Sequence, residues 1–218
     1  MMPREAPEAV RGVERKLRIT YRYVARSREV TRRVGALAAT FPVRDARSLR
    51  YYGRRFADFE PDRAWIADAL ARVDETDTFW DAGARWGAYT AYLGQVCDRT
   101  VTVTTRPSHL RRVVAANGVD GGVVRSSDGS WDGRTVDLSG RAIVSRESVP
   151  APTVVRVGGG GIDAVGETVR LVYVTPTGEA DRTSDAAVTD RLRSDGFDVT
   201  RLPDGAVRGS RSVSAREE

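Results

Sequence analysis

The sequence predicts a Rossmann-like α/β fold, in which a mostly parallel sheet carries helices on both faces. The first observation is that strand-like and helix-like segments alternate with short loops from residue 78 onward. The second is a short apolar run that ends in Asp81 and passes through a glycine-spaced turn into a helical pattern. The third is the composition, because 218 residues with 40% hydrophobic and 30% charged residues are typical of one globular domain.

The amino-terminal part is expected to be a basic helical extension. From Pro7 to about Ala39, apolar residues recur at three- and four-residue steps with arginines between them, which is typical of one or two amphipathic helices. Residues 1–55 hold fifteen Lys or Arg and five Asp or Glu, a net charge of +10, whereas the rest of the chain has a net charge of −5. Such a face could contact nucleic acid or an anionic membrane surface, or it could simply be solvated.

Residues 56–213 are expected to form the folded domain, followed by a disordered tail over residues 214–218. The predicted helices share a three- to four-residue apolar repeat and cover residues 62–71, 86–96, 108–117, 162–167 and 184–194. The predicted strands are short runs of strand-forming residues and cover residues 78–82, 100–105, 122–125, 142–145, 153–157, 170–174 and 197–202. A last segment, residues 207–213, would add an antiparallel strand.

The turn after the first predicted strand, within the sequence DTFWDAGARWGAYT, is the strongest candidate for a ligand site. Glycines at such a turn let the backbone come close to a ligand, and the helix that follows offers its positive amino-terminal end. An acid stands where the dinucleotide fingerprint G-x-G-x-x-G needs its first glycine, and a carboxylate suits a cationic group such as the amino-acid end of S-adenosylmethionine. The cofactor-binding candidates are therefore Asp81, Gly83, Ala84, Arg85 and Gly87. The alternative is a tight turn with a helix-capping acid and no ligand.

The same turn carries a resemblance to a known family. Residues 56–118 resemble the FkbM family of S-adenosylmethionine-dependent methyltransferases, which typically read D-V-G-A-N-x-G-x-Y-T after the first strand. This chain reads DAGARWGAYT there, with Arg85 in place of the usual asparagine. It also keeps Pro107 and the pair Asn117-Gly118 at the spacing of the family, and a weaker similarity continues to about residue 203.

The resemblance implies a class I methyltransferase fold, S-adenosylmethionine as cofactor, and transfer of a methyl group to a hydroxyl oxygen. The acceptor would be a glycan or a small molecule, as is typical of the family. The resemblance also implies an adenine contact for Asp128, which follows the third strand of the fold, although an Asp-Gly turn explains the same residue equally well.

Two departures from the family bear on activity. Arg106 stands where the family has an acid that binds the ribose hydroxyls, and an arginine cannot accept a hydrogen bond. It could instead bind a 2′-phosphate, as in NADP-binding folds, or lie solvated at the surface. Gly158 and Gly160 replace an aspartate and a glutamate, and glycine supplies neither a general base nor a metal ligand. The catalytic residues therefore stay unassigned, and two alternatives remain open: a catalytically inactive binding or scaffold protein, and an NADP-binding protein.

Single residues exclude several classes of site. Cys97 is the only cysteine and His109 is the only histidine, so an intramolecular disulfide, a thiolate-rich metal site and a multi-histidine metal site are impossible. The longest apolar stretch is much shorter than the ~18 residues of a membrane helix. No secretory signal is visible, so a cytoplasmic location is expected.

Overall fold

The computed structural model describes residues 29–43, 48, 51–52, 60–84, 86–125, 134–136, 143–145, 151–158, 165–175 and 185–212. Its helices are α1 (Glu60–Leu70), α2 (Ala88–Leu93), α3 (Pro107–Ala116) and α4 (Asp185–Ser194). Its strands are β1 (Glu29–Val34), β2 (Leu37–Pro42), β3 (Thr78–Ala82), β4 (Arg99–Thr104), β5 (Gly121–Arg125), β6 (Arg134–Val136), β7 (Ile143–Ser145), β8 (Val154–Gly158), β9 (Leu171–Thr175), β10 (Asp198–Arg201) and β11 (Val207–Ser210). None of the described helices is long and apolar enough to cross a membrane.

Nine strands form one sheet in the order β10-β11-β9-β8-β3-β4-β5-β6-β7. The five central strands β9, β8, β3, β4 and β5 run parallel to one another. The sheet continues through antiparallel pairs, with β11 and β10 at one edge and β6 and β7 at the other. Parallel neighbours joined by helical crossovers are the pattern of an α/β fold. The predicted architecture is therefore confirmed, including the antiparallel strand near the carboxyl end of the chain.

The central strands are buried on both faces, as expected of a parallel sheet. Along β3, Phe79 packs with β2, α1 and α2 on one face, and Trp80 packs with α4 on the other. This division follows from the strand itself, because successive side chains point to opposite faces. β9 is buried at all five positions. Its sequence, LVYVT, is accordingly an uninterrupted apolar run that ends in a threonine.

The amino-terminal part of the described chain is a β-hairpin, so the predicted helix is wrong over residues 29–42. β1 and β2 pair antiparallel with Val34 opposite Leu37, and the two-residue loop between them begins with Gly35 at φ +57°. A glycine in the left-handed region favours a tight hairpin turn over a continuous helix. The rest of the predicted helix, residues 7–28, lies outside the described residues.

The hairpin belongs to the same core as the sheet. Ala39 and Phe41 of β2 are fully buried at a two-residue spacing, in the cluster that also holds residues of α1 and α2. The apolar residues that suggested a helical stripe fit this alternation equally well. The hairpin therefore shares its core with the sheet domain in the described part of the chain, and the expected boundary near residue 55 stays a prediction.

Most predicted elements lie within two residues of their predicted bounds, and the helix after the turn is the main exception. It covers only Ala88–Leu93 instead of residues 86–96, because Gly87 precedes it in the left-handed region and a turn follows it. The predicted helix over residues 162–167 is not helical from residue 165 onward, and its first three residues lie outside the described residues. β6 has no counterpart among the predicted strands.

The chain order places a topological switch point between β3 and β8. From β3 the chain runs outward through β4 and β5, and it then returns to β8 on the other side of β3. In open α/β sheets, the carboxyl ends of the strands at such a point border a crevice that binds ligands. The carboxyl end of β3 holds Asp81 and the glycine turn, so the predicted site lies where the topology favours one.

Candidate functional site

The backbone of the turn after β3 is held against β4. The N–H groups of Gly83 and Ala84 both donate to the carbonyl of Val103, at 3.2 and 2.8 Å. Gly83 has φ +87°, a left-handed conformation that favours glycine, and it is partly exposed, whereas Ala84 is buried. Among the described residues of the turn, Gly83 therefore offers partly exposed backbone that a ligand can approach.

Gly87 has a packing role of its own. It precedes α2 with φ +79°, and a Cβ atom built there would lie 2.5 Å from Cδ1 of Leu110 and 3.3 Å from Cγ1 of Val113. A larger residue at this position would force side chains of α3 away from the start of α2. Close packing of the two helices explains this glycine without a ligand.

Asp81 lies beneath the turn and is only 1% exposed. Its Oδ2 accepts a hydrogen bond from the Thr90 hydroxyl at 2.7 Å, and its Oδ1 accepts one from Nη1 of Arg156 at 3.1 Å. The second contact is an ion pair, and the Arg156 side chain is itself only 12% exposed. The carboxylate that the sequence predicts as the partner of a cationic ligand is therefore already paired with a cation of the protein.

Arg156 connects three strands and the turn. From β8 its Nη1 also donates to the Gly83 carbonyl at 3.1 Å, and its Nε and Nη2 donate to the Thr175 hydroxyl at the end of β9, at 3.0 and 2.7 Å. Its guanidinium carbon lies 4.9 Å from the ring centroid of Tyr89 on α2. These contacts fix the arginine in place, so Asp81 and Arg156 together form a buried support for the turn.

Arg106 lies at the end of β4, next to the turn. Its backbone N–H donates to the Thr104 hydroxyl at 3.0 Å, and its guanidinium carbon lies 4.4 Å from the centroid of the Trp86 ring. This is a cation–π contact with a residue of the predicted cofactor turn. Arg106 is partly exposed and lies over the indole ring, so it is not a fully solvated surface residue.

The structure brings Asp81, Gly83 and Arg106 together at the carboxyl edge of the sheet. Arg85 and Asp128 lie outside the described residues, as does Gly160. Gly158 ends β8 and pairs with Thr175 through the sheet. The described site is thus built from backbone, one buried ion pair and an arginine stacked on an indole.

Three residues that contribute to the site were not among the candidates taken from the sequence. Arg156 is the single charged residue within the apolar strand sequence VVRVG, and a charge in a buried strand requires a partner. Tyr51 and Tyr52 pack against Trp86 from the amino-terminal segment. Their sequence signal is an aromatic pair, YY, within an otherwise arginine-rich stretch.

The buried cysteine offers no nucleophile to this site. Cys97 follows α2 and lies in the core cluster shared with α1. Burial raises the pKa of the Cys97 thiol to about 12. Because the thiolate is the reactive form, this residue is inert at neutral pH.

No protein-family model matches the chain, and no curated protein sequence matches it. Several solved structures are similar to the chain. A precorrin-6y methyltransferase from Geobacter metallireducens aligns with a TM-score of 0.50 at 16% sequence identity, covering 69% of this chain and 89% of that chain. The chain has a Rossmann-like fold of the methyltransferase type.

Other solved structures give lower scores. A putative methyltransferase from Pseudomonas syringae aligns with a TM-score of 0.48 at 14% identity, covering 70% of this chain and 99% of that chain. An rRNA methylase from Streptococcus thermophilus aligns with a TM-score of 0.45 at 10% identity, covering 69% of this chain and 96% of that chain. The similarity to the precorrin enzyme, at 16% identity, supports the fold alone, and membership of the FkbM family stays a prediction.

Proposed function

We propose that this chain is an S-adenosylmethionine-dependent methyltransferase of the FkbM type, with a hydroxyl of a glycan or small molecule as the methyl acceptor. One observation carries the proposal. Gly83, left-handed and partly exposed, follows Asp81 at the topological switch point of a methyltransferase-type fold. The FkbM-like sequence of the turn supports the same ligand, and the similar precorrin enzyme is named as a methyltransferase.

The described residues of the site differ in how well they suit this cofactor, and Asp81 suits it least. The exposed backbone of Gly83 suits a close approach of the nucleoside, and Arg106 with Trp86 would border the ligand at the end of β4. Asp81 is buried and already accepts hydrogen bonds from Thr90 and Arg156, so an ammonium group of the cofactor would compete with Arg156 for this carboxylate.

When bound, S-adenosylmethionine supplies a methyl group on a positively charged sulfur, which an acceptor oxygen can attack. The chain would contribute binding and orientation through the turn, which Val103 and Arg156 hold rigid by hydrogen bonds. The acceptor hydroxyl must lose a proton in the reaction. Asp81 is buried and ion-paired, so it is not the base in this proposal, and the proton would pass to solvent water.

The Asp81–Arg156 pair favours a second candidate, a binding or scaffold protein that keeps the fold without methyl transfer. In this alternative, the ammonium partner has become a structural ion pair, and the acids that the family places after β8 are glycines. The turn would then be retained because it joins β3 to α2.

A calorimetric titration with S-adenosylmethionine, S-adenosylhomocysteine and NADP separates the candidates. The methyltransferase proposal expects both adenosyl ligands to bind with a Kd below about 1 mM, the upper end of common enzyme KM values. Binding of NADP alone would contradict it. A chain that unfolds cooperatively but binds none of the three ligands would support the binding or scaffold candidate.

A further inference from the structure

Tyr52 connects the amino-terminal hairpin with the candidate ligand turn. It is fully buried, and its ring stacks on Phe41 of β2 with centroids 4.4 Å apart and an interplanar angle of 17°. Its backbone carbonyl accepts a hydrogen bond from Nε of Arg32 on β1 at 2.9 Å. Both strands of the hairpin therefore hold this residue.

The side chain of Asn117 fixes β2 of the hairpin to the main domain. The amide of Asn117, after α3, accepts from the Thr40 N–H at 2.7 Å and donates to the Thr40 carbonyl at 2.8 Å. These two hydrogen bonds satisfy the backbone N–H and carbonyl of Thr40, as a neighbouring β-strand would. The same amide nitrogen donates to the Val113 carbonyl at 2.6 Å, so the position of the hairpin follows that of α3.

The hydroxyl of Tyr52 reaches the turn itself. It donates a hydrogen bond to the backbone carbonyl of Trp86, and it lies 2.8 Å from Nε2 of His109 on α3. A tyrosine hydroxyl has a single proton, which is used for Trp86. Nε2 of His109 must therefore carry a hydrogen and donate to the Tyr52 oxygen, which assigns the tautomer of the only histidine in the chain.

The side chain of Trp86 is enclosed by the same group of residues. Tyr51 stacks on it with centroids 5.5 Å apart and an interplanar angle of 19°, and His109 meets it edge-on at 5.5 Å. Arg106 lies over the indole at 4.4 Å. These contacts leave only 9% of Trp86 exposed. Residues from outside the turn therefore hold both the backbone carbonyl and the ring of Trp86.

We propose that Tyr52 is a positioning residue for the ligand turn, so that the amino-terminal hairpin is a working part of the site. Its hydroxyl sets the direction of the Trp86 carbonyl, midway between exposed Gly83 and the start of α2. His109 completes the arrangement by fixing the Tyr52 oxygen. The effect on the ligand rests on the proposed function, whereas the effect on the turn does not.

The test compares Tyr52→Phe with Tyr92→Phe in the full chain. Tyr92 is the matched control, because it is equally buried and its ring also contacts Phe41, but it lies within α2 beyond the turn. The first readout is the nitrogen NMR spectrum of the single labelled histidine at pH 8, above the usual imidazole pKa of about 6.5. The wild type and Tyr92→Phe should show the Nε2–H tautomer, and Tyr52→Phe should show a mixture.

The second readout is the affinity for S-adenosylmethionine. Tyr52→Phe should lower it about tenfold, the equivalent of one hydrogen bond, while Tyr92→Phe should change it less than about twofold. An unchanged histidine tautomer, or wild-type affinity in Tyr52→Phe, would overturn the proposal. A wild type that binds no S-adenosylmethionine would contradict the proposed function alone, because the histidine spectrum still decides whether Tyr52 positions the turn.

Discussion

At the scale of the residue, the buried pair of Asp81 and Arg156 dominates the site. The two side chains are 1% and 12% exposed and connect β3 with β8 directly beneath the turn. A buried ion pair contributes little compared with a well-packed apolar pair, but removing one partner leaves the other charge desolvated. The loss of stability on removing one partner therefore tests whether the two side chains are buried as described.

Replacing Asp81 with alanine should lower the free energy of unfolding by about 3–5 kcal/mol, because Arg156 would stay buried without a counter-charge. Chemical denaturation of the full chain measures this change. The control is Asp98→Ala, whose carboxylate is 64% exposed and lies 3.7 Å from Arg99. An exposed pair contributes about 0–1 kcal/mol. Equal losses in the two variants would show that Asp81 is not buried as described.

Exchanging Arg106 for glutamate should change the ligand preference of the site. A carboxylate at the end of β4 can accept hydrogen bonds from ribose hydroxyls, so the affinity for S-adenosylmethionine should rise. A negative charge there should abolish any binding of NADP through repulsion of its 2′-phosphate. Calorimetry measures both affinities. Arg99→Glu, at the opposite end of the same strand, is the control, and an identical response of both variants would remove Arg106 from the site.

At the scale of the element, α1 is attached to the sheet through Asp68. Its carboxylate accepts hydrogen bonds from the Tyr173 hydroxyl on β9 at 2.5 Å and from Nη1 of Arg208 on β11 at 2.8 Å. Burial disfavours the charged form of Asp68, but the hydrogen bonds from Tyr173, Arg208 and Arg72 outweigh it and lower its pKa below the usual value. The helix is therefore held by an ionised group.

The pH dependence of Asp68 follows from the direction of this shift. Because its pKa is lower in the folded chain, Asp68 stabilises the fold above the unfolded pKa of about 4, and this contribution is lost as the pH falls through the folded value. The difference in unfolding free energy between wild type and Asp68→Asn should be constant from about pH 7 to pH 5 and shrink below about pH 4. Denaturant titrations across this range measure it. A difference that persists unchanged at lower pH would contradict the proposed role of ionised Asp68 in holding α1 to the sheet.

The elements that sequence reasoning predicted well are those whose signals are local. β3 was predicted at its observed bounds because an apolar run, an acid and a glycine turn lie within a few residues. The hairpin was not predicted, because its apolar residues satisfy a helical and an alternating pattern at once. The Asp81–Arg156 pair could not be derived, since its two residues lie 75 positions apart and meet only after β8 has been placed beside β3.

At the scale of the whole molecule, the charge is concentrated at the amino end, while the described hairpin is part of the core. Residues 1–28 hold eight Lys or Arg and three Asp or Glu, a net charge of +5. Residues 29–42 form β1 and β2 and bury Ala39 and Phe41. We call residues 1–28 the basic segment. A truncation that tests it should end before residue 29, because removal of the hairpin would open the core.

We expect the basic segment to give weak binding to anionic surfaces. Each Lys or Arg near an anionic membrane contributes on the order of 1 kcal/mol. The attraction should fade as salt shortens the Debye length from about 10 Å at 0.1 M to about 3 Å at 1 M. Co-sedimentation with anionic and neutral vesicles, with and without residues 1–28, measures this. Equal pelleting of both chains, or binding that ignores salt, would show that the charged residues serve only as a solvated face.

The central claim is that the partly exposed backbone of Gly83, at the switch point between β3 and β8, contacts S-adenosylmethionine. The most direct measurement is the calorimetric affinity of Gly83→Ala beside Gly196→Ala. Both glycines are left-handed, at φ +87° and +82°, and Gly196 has open space around it after α4. Each substitution carries a backbone strain of about 1–2 kcal/mol, and the free energy of unfolding of both variants is measured beside the affinity. The account predicts that Gly83→Ala weakens S-adenosylmethionine binding at least about tenfold, or about 1.4 kcal/mol, while Gly196→Ala binds like the wild type. Equal affinities of the two variants, or a wild type that binds none of the ligand, would contradict it.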